Sequence, residues 1–505
     1  MTRAFARTVP TYDQGAASVP LRALTAALIA LFALDNIVLL GLLSVAPALV
    51  AAAALTLPSL LAILAWKAMP AAPRIGAQTL LVCFMLAALL LIVGGEGRLF
   101  YAPVDWQIRD AVLADMGNHR WPFDYWLDGK AQMLRAPVGM YLLPALLGGA
   151  SQLGRDWALL AHNALILGLL FAQGAALFEG RRARIIALII FVMFSGLDVI
   201  GVALAQLATG SANWNHLERW ASNYQYSAHI TQLFWAPQHG LAGWAIALFY
   251  MLWRRNLAPI GLFAASLPLL ALWSPLILFG ALPFAAFAGV RALLSGAWDR
   301  RDVLLCALAT ALAIPALAYL STDAASVGGG LHPPTLLGYG LILLLEVLPF
   351  LLPLLADRSG ATDRATILIA GLCLIVMPLW TMGASNDFQM RASIMPLALV
   401  ALAFANFAIR LQAGRDKVVI IALIALGSVT GIVEISHAVR FSASPAPLCS
   451  LPGVWHQQAI TDIPHASYFA ARAAFPIPIT PADRVSAVMP PQCWARPWDS
   501  LAVRP

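Results

Sequence analysis

The residues able to do chemistry gather in a few polar stretches of an otherwise apolar chain. The densest stretch, "VDWQIRDAVLADMGNHRWPFDYWLDG", runs from Val104 to Gly129 and holds five aspartates, two arginines, one histidine and three tryptophans. Carboxylates crowded beside apolar sequence must be paired, solvated or put to use. Asp105 follows Pro103 and suits a helix N-cap. Ile108, Val112 and Met116 then recur at helical spacing, so a helix over Asp105–Met116 would lay an apolar stripe on a membrane interface. Asp105 and Arg109, four residues apart, can touch on that helix. Together they supply a carboxylate that can take a proton and a guanidinium that can hold an oxyanion. Asp110 is the next candidate carboxylate, followed by Asp115, Asp124 and Asp128. Trp106, Trp121 and Trp126 suit the headgroup level as anchors.

Three further stretches are polar. Thr209–Gly240 carries His216, Glu218, Arg219, Tyr224, Tyr226, His229 and His239. Three histidines and a glutamate are metal-ligand types, but His216-x-Glu218 followed by His229 fits no tight zinc spacing, and no metal site is assigned. These histidines either hydrogen-bond a sugar or phosphate or pair with backbone. The tyrosines and tryptophans either stack on a sugar ring or anchor at the interface. Ser321–Pro334 is short and glycine-rich. Thr381–Pro396 sets Asp387 and Arg391 four apart at a helix start. That pair is either a helix-start salt bridge or a phosphate clamp, since guanidinium matches phosphate geometry.

These stretches must be positioned by helices in lipid. Of 505 residues, 61% are hydrophobic and 11% charged, and the mean hydropathy is +0.80. Soluble domains carry roughly 25% charged residues, so the chain reads as an all-α, polytopic membrane protein. Its long apolar runs are of helical, not barrel, type. The net charge of +7 is scattered between the runs, which points to cytoplasmic loops and excludes nucleic acid as the expected partner. The polar N-terminus lacks a cleavage signature and reads as leading into an uncleaved first helix.

About 14 apolar runs can be marked, and the short Val138–Gly148 run, headed by Pro137, reads as re-entrant or juxtamembrane. About 13 crossings then place Arg3, Arg7, Lys67, Arg74, Arg181, Arg182, Arg184, Arg254, Arg255 and the later basic pairs on the cytoplasmic side. The N-terminus is inside and the C-terminus outside. Residues 1–435 form the transmembrane domain, with extracytoplasmic loops at 96–136 and 208–240. Residues 436–505 form an extracytoplasmic tail. The five cysteines show no CxxC, and an outside tail can join Cys449 to Cys493 in a disulfide. Asp35, Asp198 and Glu346 are carboxylates inside spans, scattered and without the outline of a proton relay.

An early outer loop opening on Asp105, passing through Trp121-Pro122 and ending in "LRAPVGMYLLPALLG" resembles the GT-C superfamily of integral membrane glycosyltransferases. The resemblance covers the topology and roughly residues 96–150, more weakly 210–240 and 381–396. It departs from the family pattern in two places. Trp106 and Gln107 stand where many members carry a second acidic residue, and two spans precede the one that leads into the loop. The resemblance implies an inner-membrane enzyme that moves a sugar from a polyprenyl-phosphate donor to an acceptor glycan, lipid or protein at the outer face. It implies Asp105 as general base, with Asp110 and Glu218 as further catalytic carboxylates. Arg109, Arg391 and His216 would hold the leaving phosphate, with His229, Tyr226 and Asp387 completing the substrate contacts. No cofactor is demanded, and a divalent cation is compatible with the carboxylates. The rival class is a transporter or flippase of a polyprenyl-linked or small anionic substrate, working through Asp35, Asp198 and Glu346. A ligase or polymerase of lipid-linked glycans is a third reading within the enzyme class.

Overall fold

A computed structural model describes residues 17–71, 73–127, 129–296, 298–383, 386–458, 465–485 and 491–498. Arg3, Arg7 and Asp128, used above, lie outside the described residues. The chain is mostly helical, with a few short strands. Among the described residues, seven helices are long and apolar enough to cross a membrane: Leu21–Leu42, Pro47–Ala68, Gln152–Leu177, Ile277–Ser295, Arg300–Ser321, Leu336–Ala356 and Arg415–Arg440. Shorter apolar helices, among them Ala77–Val93, Gly139–Gly148, Ile260–Leu270 and Ile394–Arg410, pack between them. This composition and length fit a membrane protein.

Two apolar runs are not single rods. The Ile185–Leu207 run splits into helices Arg181–Val192 and Asp198–Thr209. The break falls at Ser195-Gly196, where the freed backbone is caught from outside the run. The His229 amide donates to the Phe194 carbonyl, and the Leu197 amide donates to the Leu345 carbonyl. Irregular backbone at such depth is tolerated where protein groups satisfy it. The Leu336–Ala356 helix widens to a π-turn over Leu343–Val347, just before Pro349, which has no amide hydrogen to continue an α ladder.

The first outer loop begins with a tight turn. Gly95 and Gly97 have φ of 100° and 77°, a region costly for residues with a Cβ. At Gly95 a Cβ would also lie 2.5 Å from that of Ala102. The turn delivers Arg98 to the loop helix Trp106–Asn118. That helix does not lie on an interface, as its spacing suggested. Trp106 through Met116 are all buried, because protein covers its polar face as well as its apolar one. Trp106 is an interior residue whose indole N–H donates to the Phe234 carbonyl at 2.7 Å. Trp121 is partly buried and donates to the Met116 carbonyl at 2.7 Å. Trp126 alone of the three is well exposed, at 48%.

The all-α expectation holds only in the main, for three small sheets join the helices among the described residues. Residues Phe123–Leu127 and Lys130–Leu134 form a hairpin, and the C-terminal tail adds a strand on each side of it. Phe469–Ala471 pairs antiparallel with Lys130–Leu134, and Asp483–Val485 pairs parallel with Phe123–Leu127. Helix Arg415–Arg440 runs past residue 436, the expected start of the tail, with Arg440 favourably placed at its negative end. A disulfide joins Cys449 to Cys493, closing into one loop a stretch of the tail that contains helix Leu451–Gln457. Helix Gly139–Gly148, the expected short helix, is mostly buried beside the loop helix.

Candidate functional site

Asp105 precedes the first turn of the loop helix but does not cap it, for its carboxylate accepts no hydrogen bond from the helix amides. It faces Arg109 instead, with Nη2 to Oδ2 at 3.4 Å. Arg109 is held hard in place. Its Nε donates to the Trp235 carbonyl at 2.9 Å and its Nη1 to Gln238 Oε1 at 2.8 Å. Tyr141, on the short helix Gly139–Gly148, donates to the same Gln238 oxygen at 3.0 Å. Next along, His239 Nδ1 and Ser274 Oγ are 2.7 Å apart. Asp105 keeps a quarter of its side chain exposed and, among the described residues, has Arg109 as its one ion-pair partner.

The fourth polar stretch comes to the same place. Asn386, with φ of 59°, caps a short helix by accepting from the Gln389 amide. The helix presents Asp387 to Arg391 at 3.2 Å, with a third of the aspartate side chain exposed. Burial pushes the Asp387 carboxyl above its ordinary range; Arg391 and Arg109 oppose this, and Asp105 adds to it. Asp387 therefore feels both members of the first pair. Two Asp–Arg pairs of identical spacing, from distant loops, thus lie within electrostatic reach of one another.

A third element comes within the same electrostatic reach. Tyr468 belongs to the tail, and its hydroxyl interacts electrostatically with Arg109, Asp105, Asp387 and Arg391 together. Its carbonyl accepts from the Arg135 amide at 2.6 Å, and its ring packs edge-on to Trp455 at 5.3 Å. Tyr468, Gln238 and Tyr141 were not singled out from sequence. Gln238 follows a proline at a helix start and Tyr141 sits in the proline-headed run, so both carried weak signals. Tyr468 carried none, because only the sheet between loop and tail brings it in.

The other described aspartates of the first loop, Asp110, Asp115 and Asp124, are each buried and held by protein partners. Asp110 pairs with Arg98 at 2.9 Å, and Arg98 also holds Asp156 at 2.9 Å. Burial raises Asp110 to about 6 despite the Arg98 charge. Asp110 is closed into this triad, with Arg109 also within electrostatic reach. Asp115 accepts from the Leu451 amide at 2.8 Å and from the Tyr125 hydroxyl at 3.0 Å, and burial raises it to about 7. Asp124, fully buried, is clasped by Arg472 and Arg484 from the tail.

The 208–240 loop builds a second, separate cluster. Glu218 has no exposed surface and accepts from the Ala228 amide at 2.7 Å. Burial and then Asp198 push its carboxyl well up. His229 hydrogen-bonds the Phe191 carbonyl among Phe191, Phe194 and Trp244. The Tyr226 hydroxyl donates to the Leu374 carbonyl. His216 stacks flat on Trp235 at 4.8 Å and approaches Glu434 at 3.6 Å. Among the described residues, no hydrogen bond or ion pair joins Glu218, His216, His229 or Tyr226 to the Asp105 and Asp387 pairs, so the structure does not bring these four together with Asp105. Buried backbone and aromatic partners claim them first. Asp198 and Glu346 are not scattered either. They lie against each other and within electrostatic reach of Glu218, with Ser195 and Thr430 donating to Asp198 at 2.7 Å each. Asp35 stands apart, bonded to the Trp273 indole at 2.9 Å.

Among the described residues, no group of three or more His, Cys, Asp or Glu side chains is arranged to hold a metal ion. Chemically, the Asp105–Asp387 cleft offers two partly open carboxylates, one guanidinium fixed by three acceptors, one freer guanidinium and a phenol. That set can take a proton from a hydroxyl and hold a phosphate. No protein family, curated protein or solved structure matches this chain.

Proposed function

We propose that the chain is an integral membrane glycosyltransferase of GT-C type, moving a sugar from a polyprenyl-phosphate donor to an acceptor at the extracytoplasmic face. About 13 crossings, an inner-membrane location, an N-terminus inside and a C-terminus outside belong to the same proposal. The observation that carries it is that two Asp–Arg pairs from distant loops, Asp105–Arg109 and Asp387–Arg391, lie within electrostatic reach of each other and of Tyr468.

In the proposed reaction, an acceptor hydroxyl attacks the anomeric carbon while the Asp105 carboxylate takes its proton. A new carbon–oxygen bond forms on one face, and the bond to the phosphate oxygen breaks on the other. The polyprenyl phosphate leaves with the electron pair, and the configuration inverts. Arg391 meets its growing charge, having a single ion-pair partner in Asp387. Arg109, whose donors are already engaged, supplies fixed charge and orients Asp105. Preorganised donors of this kind act where charge develops.

A second reading is favoured by one observation. The buried carboxylates Asp198, Glu218, Glu346 and Glu434 interact with one another, and intramembrane acids of this sort serve proton-coupled carriers. The two readings separate in purified protein supplied with a polyprenyl-phosphate sugar. As a transferase, Arg391→Ala loses about 100-fold in sugar transfer, while Asp198→Asn and Glu346→Gln keep it. Substrate flux that depends on Asp198 and Glu346 but not on Arg391 would instead establish the carrier.

A further inference from the structure

A cavity of ≈ 680 Å³ lies away from the Asp105 cleft, between the starts of helices Ala77–Val93 and Arg181–Val192 and the end of Gln152–Gly174. It falls in the size range of small-ligand pockets, roughly 300–1,000 Å³. Its walls are largely apolar, with Leu170, Leu188, Phe191, Leu248 and Leu402 among them. Its mouth is basic, lined by Arg181 and Arg184. Leu81, Val82, Ile185 and Ile189 beside it are exposed on the outside of the bundle, so the cavity borders lipid.

The charge at the mouth is one-sided. Arg181, Arg182 and Arg184 occupy the first turn of a 12-residue helix, whose free amides and dipole already favour an anion. Glu179 is the only acid on this turn. Arg184 Nε donates to the Phe178 carbonyl. Arg74, close by, is bonded to Ser18. Arg181 is exposed and has no hydrogen-bond or ion-pair partner among the described residues. The basic loops mark this as the cytoplasmic side, where anionic lipids collect and arginines near the surface help to hold them. From Arg181 to Phe191 the helix wall rises about 15 Å, long enough to line much of an acyl chain.

We propose that this groove is a binding site for an anionic glycerophospholipid of the cytoplasmic leaflet, with its phosphate on Arg181 and one acyl chain in the apolar cavity. The site is independent of the sugar-transfer reading. Gly174 supplies a clean way to close it. It lines the groove, and a Cβ there would meet no atom within 4 Å, so a large side chain enters empty space.

The test is native mass spectrometry of the full-length protein in detergent. Dioleoyl-phosphatidylglycerol, dioleoyl-phosphatidylcholine and inorganic phosphate are added in separate arms. The proposal expects phosphatidylglycerol to be retained about tenfold over phosphatidylcholine, and inorganic phosphate not to displace it. Arg181→Glu, an exposed change that disturbs no packing, should cut phosphatidylglycerol retention at least about tenfold. Gly174→Phe should abolish retention of both lipids. Equal retention of the two lipids, displacement by inorganic phosphate, or unchanged retention in Arg181→Glu or Gly174→Phe overturns the proposal. So does a full-length chain that retains neither lipid until residues 1–16, which precede Ala17 at the rim, are deleted.

Discussion

Asp105 and Asp124 lie in one loop, yet their surroundings differ in kind. Asp124 is fully buried and takes three hydrogen bonds, one from Arg472 at 3.0 Å and two from Arg484 at 2.8 and 3.2 Å. Its partners come from the tail, so its charge fastens two segments together. Asp105 faces a cleft with one long ion pair, to an arginine already fixed by other acceptors. The same contrast separates Asp110, shut in with Arg98, from Asp387, a third open beside Arg391. In this loop the type of residue does not reveal its job. The number of committed partners does, and so does whether any oxygen is left facing space.

The comparison can be broken most severely at Arg98. That side chain bridges Asp110 and Asp156, all three largely buried. Removing one partner of a buried pair strands its opposite charge, at a cost of about 3–5 kcal/mol. Arg98→Ala should therefore lower thermal stability in detergent sharply, whereas Arg391→Ala should change it by under about 1 kcal/mol. Similar losses in both would erase the distinction between anchoring and working pairs.

The next effect is on the tail. Cys449 and Cys493 are 44 residues apart, and opening a native disulfide costs typically about 2–4 kcal/mol. The Cys449→Ser, Cys493→Ser double variant should expose the tail to proteolysis between Phe441 and Arg496. It should also weaken substrate turnover, because Tyr468 reaches the cleft from this tail. An intact activity with a cleaved tail would remove Tyr468 from the site.

A smaller effect is on pH. Asp110 and Asp115 are raised to about 6 and about 7 by burial, above their unfolded range near 3.9. Between those limits the folded chain binds more protons than the unfolded one, so stability is greatest at low pH and declines as pH rises toward about 7. Melting curves from about pH 4.5 to about pH 7.5 should show that decline. Asp115→Asn, which keeps an acceptor for Tyr125 and Leu451, should flatten part of it; an unchanged slope would mean Asp115 titrates elsewhere.

Much of this arrangement was legible in the sequence at short range. The four-residue spacings of Asp105–Arg109 and Asp387–Arg391 gave both pairs, because one helical turn sets them side by side. The short, proline-headed run after Pro137 gave a short helix. What the sequence could not show was which loops meet. The approach of Asp387 to Asp105 is tertiary, and the entry of Tyr468 depends on strands of three residues, too short to mark themselves. The loop helix was misread as interfacial for a related reason. Ile108, Val112 and Met116 do form a stripe, but nothing local says that protein also covers Asp110 and Asp115. His229 and Tyr226 looked like ligand contacts because polar aromatics in a loop often are, yet here backbone carbonyls satisfy them in the interior.

The most direct test of the central claim sets Asp105→Asn beside Asp124→Asn in one assay. Purified proteins are given a polyprenyl-phosphate sugar and an acceptor, and the initial rate of sugar transfer is measured together with thermal stability. The account predicts that Asp105→Asn loses about 100- to 10,000-fold in rate with its melting temperature unchanged, while Asp124→Asn loosens the tail and melts earlier. Full transfer by the Asp105→Asn protein would contradict it.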